Sequence, residues 1–381
     1  MRLALTGAGG FLGWHVRVLV RALGWPEPVV LTRTDLTQPE VVAARLAGVD
    51  RVLHLAGVNR GDPTEVAAGN VEPSAALVRG LRRCPAPPKT VVFANSTQAG
   101  NGTAYGDSKS TAAATLATAR EVGSAFIDVR LPNLYGEHGR PFYNSVVATF
   151  CRLLAEGGEP DVREDRELDL VHVTDAAARL IGAPAGGPWD VTMPALRVTV
   201  RSVAELLSYF ATTYRTGEIP TLSDRHQVRI FNTYRSHCFP AHYPMPLTRR
   251  SDQRGGLVEV VKTHGGAGQT FCSTSYPGVA RGEHFHLAKV ERFVVLRGTA
   301  VINLRRVGHD EVIRFPVSGD APVVVDMPAM WVHNIVNIGS DELLTLFWAN
   351  DLFDPSQPDT YVEPVGESTS MAAVMMAGGR G

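Results

Sequence analysis

Tyr105 and Lys109 bracket the segment Tyr105-Gly-Asp-Ser-Lys109. If this segment is helical, positions i and i+4 share a face. An ammonium beside a phenol is expected to lower the phenol pKa from about 10. A phenol so placed can pass a proton to or from a carbonyl oxygen during hydride transfer. A hydroxyl should hydrogen-bond the same oxygen. Ser96, at the end of the preceding apolar run, is placed for it, with Thr97 as the alternative.

A second set is Thr6-Gly7-Ala8-Gly9-Gly10-Phe11-Leu12-Gly13, in which Gly7, Gly10 and Gly13 keep GxxGxxG spacing. A side chain on such a turn would hold the backbone away from a pyrophosphate. The N–H groups of the first helical turn would then bind that anion. The next apolar run ends Val-Val-Leu-Thr-Arg33-Thr-Asp35. NAD-binding sites of this type usually place an acid there for the ribose hydroxyls. A guanidinium at Arg33 suits a 2′-phosphate instead, so NADPH is expected over NADH despite the nearby Asp35.

The third set is Gly278-x5-His284-x-His286-x4-Glu291-x6-Gly298, followed by His333 in Pro-Ala-Met-Trp-Val-His333. On a strand, residues two apart point to one face, so His284 and His286 are expected to aim together into a barrel. Glu291 and His333 would complete a shell of three nitrogens and one oxygen, leaving open positions for water or substrate. Zinc is the first expectation. Iron, manganese and nickel accept the same ligands.

The elements that must position these groups follow two patterns. Short apolar runs at Arg2–Leu5, Val29–Thr32, Arg51–Leu55, Thr90–Ala94 and Ala125–Arg130 alternate with helical stretches. That alternation predicts an α/β Rossmann domain, a doubly wound parallel sheet with helices on both faces. Near residue 245 the Pro-, Gly- and charge-rich stretch His-Tyr-Pro-Met-Pro-Leu-Thr-Arg-Arg-Ser-Asp-Gln-Arg-Gly-Gly reads as a linker. Beyond it, short β-rich runs predict an all-β barrel, beginning with Leu257–Lys262 and Thr270–Ser275 and continuing to Leu343–Ala349. Three segments are therefore expected: a nucleotide-binding domain over 1–245, a barrel over 246–365, and a disordered tail over 366–381.

Bulk composition narrows the classes. The 381 residues are 44 % hydrophobic and 20 % charged, enough apolar material for two cores. A net charge of −1 gives no reason to expect nucleic-acid or membrane binding. No apolar run nears the ~20 residues of a membrane span. The four cysteines (Cys84, Cys151, Cys238 and Cys272) lack paired spacing. They suit reduced thiols and a cytoplasmic chain, and the N-terminal residues carry no signal-peptide pattern.

Thr-Gly-Ala-Gly-Gly-Phe-Leu-Gly, His54-Leu-Ala-Gly57, Ser96, Tyr-Gly-Asp-Ser-Lys and Arg130-Leu-Pro-Asn-Leu-Tyr-Gly136 together resemble the extended short-chain dehydrogenase/reductases of nucleotide sugars. The histidine–glutamate pattern resembles the cupin motifs, departing at Met330, where cupins usually have glycine. Nearly the whole chain is similar to the bifunctional UDP-2-acetamido-2,6-dideoxy-L-talose synthases of bacterial capsule biosynthesis. The resemblance implies a Ser/Thr–Tyr–Lys triad. It implies a cofactor held by Gly7, Gly10, Phe11, Leu12, Gly13, Arg33, Leu55, Ala56, Gly57, Tyr105 and Lys109. It also implies a UDP- or dTDP-linked 4-keto-6-deoxy sugar, C3 epimerisation in the cupin, C4 reduction with NADPH, and a homodimer. For proton transfer at C3 the candidates are Lys289, Tyr276 and His309, and Arg254 is a candidate for the diphosphate. Three other functions stay open: a reductase with a purely structural cupin, a sugar-nucleotide sensor without turnover, and a cupin oxygenase using iron.

Overall fold

The computed structural model describes residues 1–182, 195–253 and 255–366. Arg254 and residues 367–381 of the expected tail lie outside them. The chain forms two compact units, one of Met1–Thr149 with Glu164–Val200, the other of Phe150–Arg163 with the chain from Arg201 onward. The expected boundary near 245 falls inside the second unit.

In the first unit, β1 (Leu3–Thr6), β2 (Val29–Leu31), β3 (Arg51–His54), β4 (Thr90–Ser96) and β5 (Ala125–Leu131) form one sheet in the order β2-β1-β3-β4-β5. Every pairing is parallel. All four residues of β1 are buried, as expected for a strand covered on both faces. Leu31, Val42, Val52, Leu77, Val91, Phe93 and Leu116 form the core beneath one helical layer, each buried side chain contributing roughly 1.5–3 kcal/mol. The chain crosses from β1 to β2 on one side and places β3 on the other. This opens a crevice at the carboxyl ends of β1 and β3, where such sheets bind ligands. A smaller sheet joins Asn133–Tyr135, Glu167–His172 and Leu196–Thr199.

The second unit holds two five-stranded antiparallel sheets. One runs Gln269–Ser275, Leu343–Ala349, Glu291–Arg297, Val323–Met327, Met245–Pro246; the other runs Val312–Ser318, Thr299–Arg306, Trp331–Asn337, Ala280–Phe285, Tyr361–Val362. The chain thus combines a Rossmann fold with a cupin-type β-domain, as its patterning predicts. Two local expectations are corrected. The supposed linker is structured: Met245 and Pro246 pair with Val324 and Val323, and Arg249–Asp252 forms a hairpin with Gly255–Val258. Proline is tolerated there because the strand is at a sheet edge. The strand expected at Leu257–Lys262 is that hairpin's second arm and ends at Val258.

Helix Arg225–Cys238 and all but the first residue of helix Val200–Tyr214 belong to this second unit. Arg292 grips Asp326 through two bonds of 2.8 and 2.9 Å with both residues fully buried. Tyr214 donates to the same carboxylate, and Arg235 donates to the Met327 carbonyl at 2.8 Å. A buried charge cluster of this kind persists because every member is satisfied, and removing one partner typically costs about 3–5 kcal/mol.

Candidate functional site

The first unit's site begins at the turn after β1. Gly7 has φ +69°, and a Cβ there would lie 2.7 Å from the Ala56 nitrogen. A Cβ on Gly13 would lie 2.2 Å from the Gly7 carbonyl. Both positions exclude side chains for steric reasons. Gly10 caps helix Phe11–Ala22 with no side-chain hydrogen bond and no acid in the first turn, which leaves its amides to an anion. Thr6 Oγ1 accepts from the Leu55 and Ala56 amides at 3.1 and 3.2 Å. It also bonds His54 Nδ1 at 3.0 Å, so Leu55-Ala56-Gly57 is held against the glycine turn. Asn70 extends this hold, donating to Val58 O at 2.7 Å and Ser108 Oγ at 3.2 Å. These features fit a dinucleotide.

Arg33 opens the short helix Arg33–Leu36 and is exposed. Asp35, the acid that could have contacted ribose, is instead in a capping box. Its carboxylate accepts from Thr32 N and Thr32 Oγ1 at 2.8 and 2.7 Å, and Arg45 lies 3.1 Å away. The Thr32 hydrogen bonds hold its carboxyl below the usual range despite burial.

Tyr105 and Lys109 both lie in helix Ala104–Ala117, capped by Thr103. Gly106 lets this helix meet the preceding loop, since a Cβ there would approach the Gln98 carbonyl to 2.3 Å. Ser96 hydrogen-bonds Tyr105, whereas Thr97 is exposed. The expected electrostatics need correction. Lys109 Nζ donates to the Ala94 carbonyl at 2.7 Å and sits 4.0 Å above the Phe93 ring. Burial pushes its pKa down to about 8, opposed by Asp128. Burial likewise pushes the Tyr105 phenol up, against the Ser96 hydrogen bond. The expected lowering fails because burial of the phenol dominates and the Lys109 ammonium is engaged by the Ala94 carbonyl.

In the second unit, ligand atoms of His284, His286, Glu291 and His333 lie within 4.8 Å of one another. Ligands ~2.0–2.2 Å from one ion stand roughly 3–4 Å apart, within reach of small side-chain rotations. His284 and His286, two residues apart, both reach the cluster. The strand ends at Phe285, a bulge lies between Gly282 and His284, and Glu283 takes φ +60°. The two rings meet 4.9 Å apart. Met330 occupies the left-handed turn before His333 at φ +63°, fully buried. The cupin turn therefore survives without its glycine, at a backbone cost of ~1–2 kcal/mol that burial of the methionine offsets.

The cluster suits a cation. His286 Nε2 lies 2.9 Å and His333 Nε2 3.5 Å from Glu291 Oε2. His333 Nδ1 bonds the Trp331 carbonyl at 3.0 Å, and its buried Nε2 has no hydrogen-bond partner. Burial, then His333 and His286, push His284 down to about 3, leaving it neutral. Against burial, the two other imidazoles hold Glu291 well below the carboxylate range. A neutral His284 and an ionised Glu291 suit a divalent ion, whereas, against burial, the Glu291 carboxylate holds the His286 pKa up, so that an ion binding there would displace the His286 proton.

Of the proposed proton-transfer residues, Tyr276 is 74 % exposed and His309 is exposed. Lys289 Nζ donates to the Pro358 carbonyl at 2.7 Å. Asp359, which sequence reading passed over, touches His286 and the three residues after it.

Comparison with known proteins agrees with this geometry. The NAD dependent epimerase/dehydratase family matches residues 3–183 and the polysaccharide biosynthesis C-terminal domain matches residues 250–361. UDP-2-acetamido-2,6-beta-L-arabino-hexul-4-ose reductase of Pseudomonas aeruginosa is 31 % identical over 96 % of this chain and 100 % of its own. The crystal structure of the capsular polysaccharide assembling protein CapF from Staphylococcus aureus is 32 % identical, covers 96 % of this chain and 100 % of its own, and superposes with a TM-score of 0.55. The spore coat polysaccharide biosynthesis protein SpsL of Bacillus subtilis is 25 % identical over 32 % of this chain and 87 % of its own. Among the described residues, no helix is long and apolar enough to cross a membrane. With both domains matched in order and the full-length similarity above, the chain belongs to the CapF-like family of capsule-biosynthesis proteins, an epimerase/dehydratase domain followed by a cupin-like polysaccharide-biosynthesis domain.

Proposed function

We propose that the chain epimerises a UDP-linked 4-keto-6-deoxy acetamido sugar at C3 in its β-domain and reduces the C4 ketone with NADPH in its Rossmann domain. The observation that carries this reading is the convergence of His284, His286, Glu291 and His333 in a chain that also keeps Ser96, Tyr105 and Lys109 together. The name of the Pseudomonas relative, a hexul-4-ose reductase, supports a 4-ketone substrate.

A C4 carbonyl acidifies the C3 proton. A divalent ion on the four ligands, zinc by donor type, would stabilise the negative charge that proton loss leaves on oxygen. Lys289 would take the C3 proton, because it is anchored beside the ligand loop while Tyr276 and His309 face solvent, and a proton returned to the opposite face of the enolate would complete the inversion. In the first unit, bound NADPH supplies hydride at C4. Tyr105 would deliver its phenolic proton to the C4 oxygen, with Ser96 hydrogen-bonding the same atom. Lys109 would hold the strand end through Ala94 and favour negative charge nearby.

Incubation with the UDP-linked 4-ketone and NADPH in D₂O tests both halves. Deuterium at C3 and loss of NADPH absorbance are expected together. NADPH oxidation without deuterium would leave only the reductase. Cofactor choice is tested separately. Arg33→Ala should raise KM for NADPH about 10- to 100-fold, the worth of one or two charged hydrogen bonds. KM for NADH should change little. Equal losses for both cofactors would remove Arg33 from 2′-phosphate recognition.

A further inference from the structure

We infer that residues 358–366 act as a strap that positions the barrel's metal ligands, with Asp359 as its central positioning residue. This rests on the metal reading above and extends it to a segment outside the cupin motifs.

Asp359 acts on one ligand and its neighbours at once. Its backbone carbonyl accepts from His286 Nδ1. Its carboxylate accepts from the amides of Leu287, Ala288 and Lys289 at 2.9, 2.9 and 2.8 Å. An Nδ1–H donated to a carbonyl fixes both ring orientation and tautomer, leaving the Nε2 lone pair for the ion. The three amides hold the loop that leads from His286 to Glu291.

The rest of the strap secures the other histidines. Val362 and Tyr361 pair with His284 and Phe285. The Glu283 carboxylate accepts from the Val365 amide at 2.7 Å and from Asn334 Nδ2, beside His333. The Glu363 amide donates to the Glu283 carbonyl at 3.0 Å. Arg305 fastens the far end, to Glu363 Oε1 and Val365 O at 2.7 Å each.

Backbone strain coincides with these contacts. Glu283 and Asp359 take φ +60° and +44°, a region non-glycine residues disfavour. Such conformations persist only where surrounding contacts over-determine them, and they cluster at functional sites. Both contact ligands or their neighbours.

The test uses the full chain, with Asp359→Asn as the variant and Ser356→Ala as a control in the same loop. Asparagine keeps the size and the His286 contact but cannot accept at both side-chain atoms. Zinc affinity, measured by chelator competition, should fall about 10- to 100-fold in Asp359→Asn, as for other groups that orient ligands, and stay unchanged in Ser356→Ala. Hydrogen exchange at amides 287–289 should quicken in the metal-free variant. The thermal midpoint of the zinc-loaded protein should drop more than that of the metal-free protein. Unchanged zinc affinity in Asp359→Asn, or an equal loss in Ser356→Ala, would overturn the strap while leaving the metal reading intact. A wild-type chain that holds no zinc would overturn the metal reading itself, and the strap's role with it. If Asp359→Asn does not fold, Asp359→Glu, which keeps the charge but displaces it, is measured against the same outcomes.

Discussion

Tyr105→Phe should slow NADPH-dependent reduction of the 4-ketone by about 10²- to 10⁴-fold, the usual worth of a positioned proton donor. Phenylalanine keeps the ring that packs in the cleft and removes only the hydroxyl, so folding and substrate binding should persist. The loss should then appear in kcat and kcat/KM together, the pattern of an interaction made only in the transition state. Ser96 would remain as a single donor to the developing alkoxide, which sets a floor above the uncatalysed rate. Because Tyr105 lies in the first unit, deuterium entry at C3 should continue near the wild-type rate. Following NADPH absorbance and C3 deuteration in one reaction checks both. A variant that reduces the ketone at the wild-type rate would remove Tyr105 from the chemistry.

The parts of this site legible in sequence are those whose geometry is local. Gly7, Gly10 and Gly13 meet across one turn. Tyr105 and Lys109 stand one helical turn apart. Each follows from residue spacing alone. The metal ligands were legible by residue type and spacing. A strand places alternate residues on one face, and His286 follows directly on the strand's last residue, but the bulge between Gly282 and His284 has no mark in the spacing. What escaped sequence reading depends on contacts between distant segments. Asp359 reaches His286 across 73 positions, and no periodicity relates the two. Lys109 turns to the Ala94 carbonyl because a buried ammonium takes the nearest strong acceptor. The linker reading failed for a related reason. Composition marks Pro246 as a breaker, yet its strand partner, Val323, is supplied from far along the chain. Likewise, Tyr214 and Arg235 join the barrel unit through a buried cluster around Asp326 that no local pattern announces.

His333→Ala should give the complementary result, loss of C3 exchange with reduction retained. His333 is fully buried, and its ring stands 4.7 Å from that of His284 and 5.3 Å from that of His286. Removing it takes away one nitrogen ligand and leaves the Glu291 charge facing two imidazoles in place of three. The fourfold donor set is then incomplete, and bound zinc should fall well below one per chain. Charge stabilisation by a metal is worth several kcal/mol, so C3 deuteration should drop by a factor of about 10³ or more. NADPH oxidation with ketone already epimerised at C3 should stay within a few-fold of wild type, since Tyr105, Ser96 and Lys109 lie in the other unit. The alanine also leaves a cavity beside Phe293, whose ring lies 5.7 Å from His333. His333→Gln, closer in volume and still polar, therefore accompanies it and separates lost coordination from lost packing. Exchange at the wild-type rate in a folded, zinc-free variant would make the β-domain a scaffold and leave the Rossmann domain as the chain's one catalytic centre.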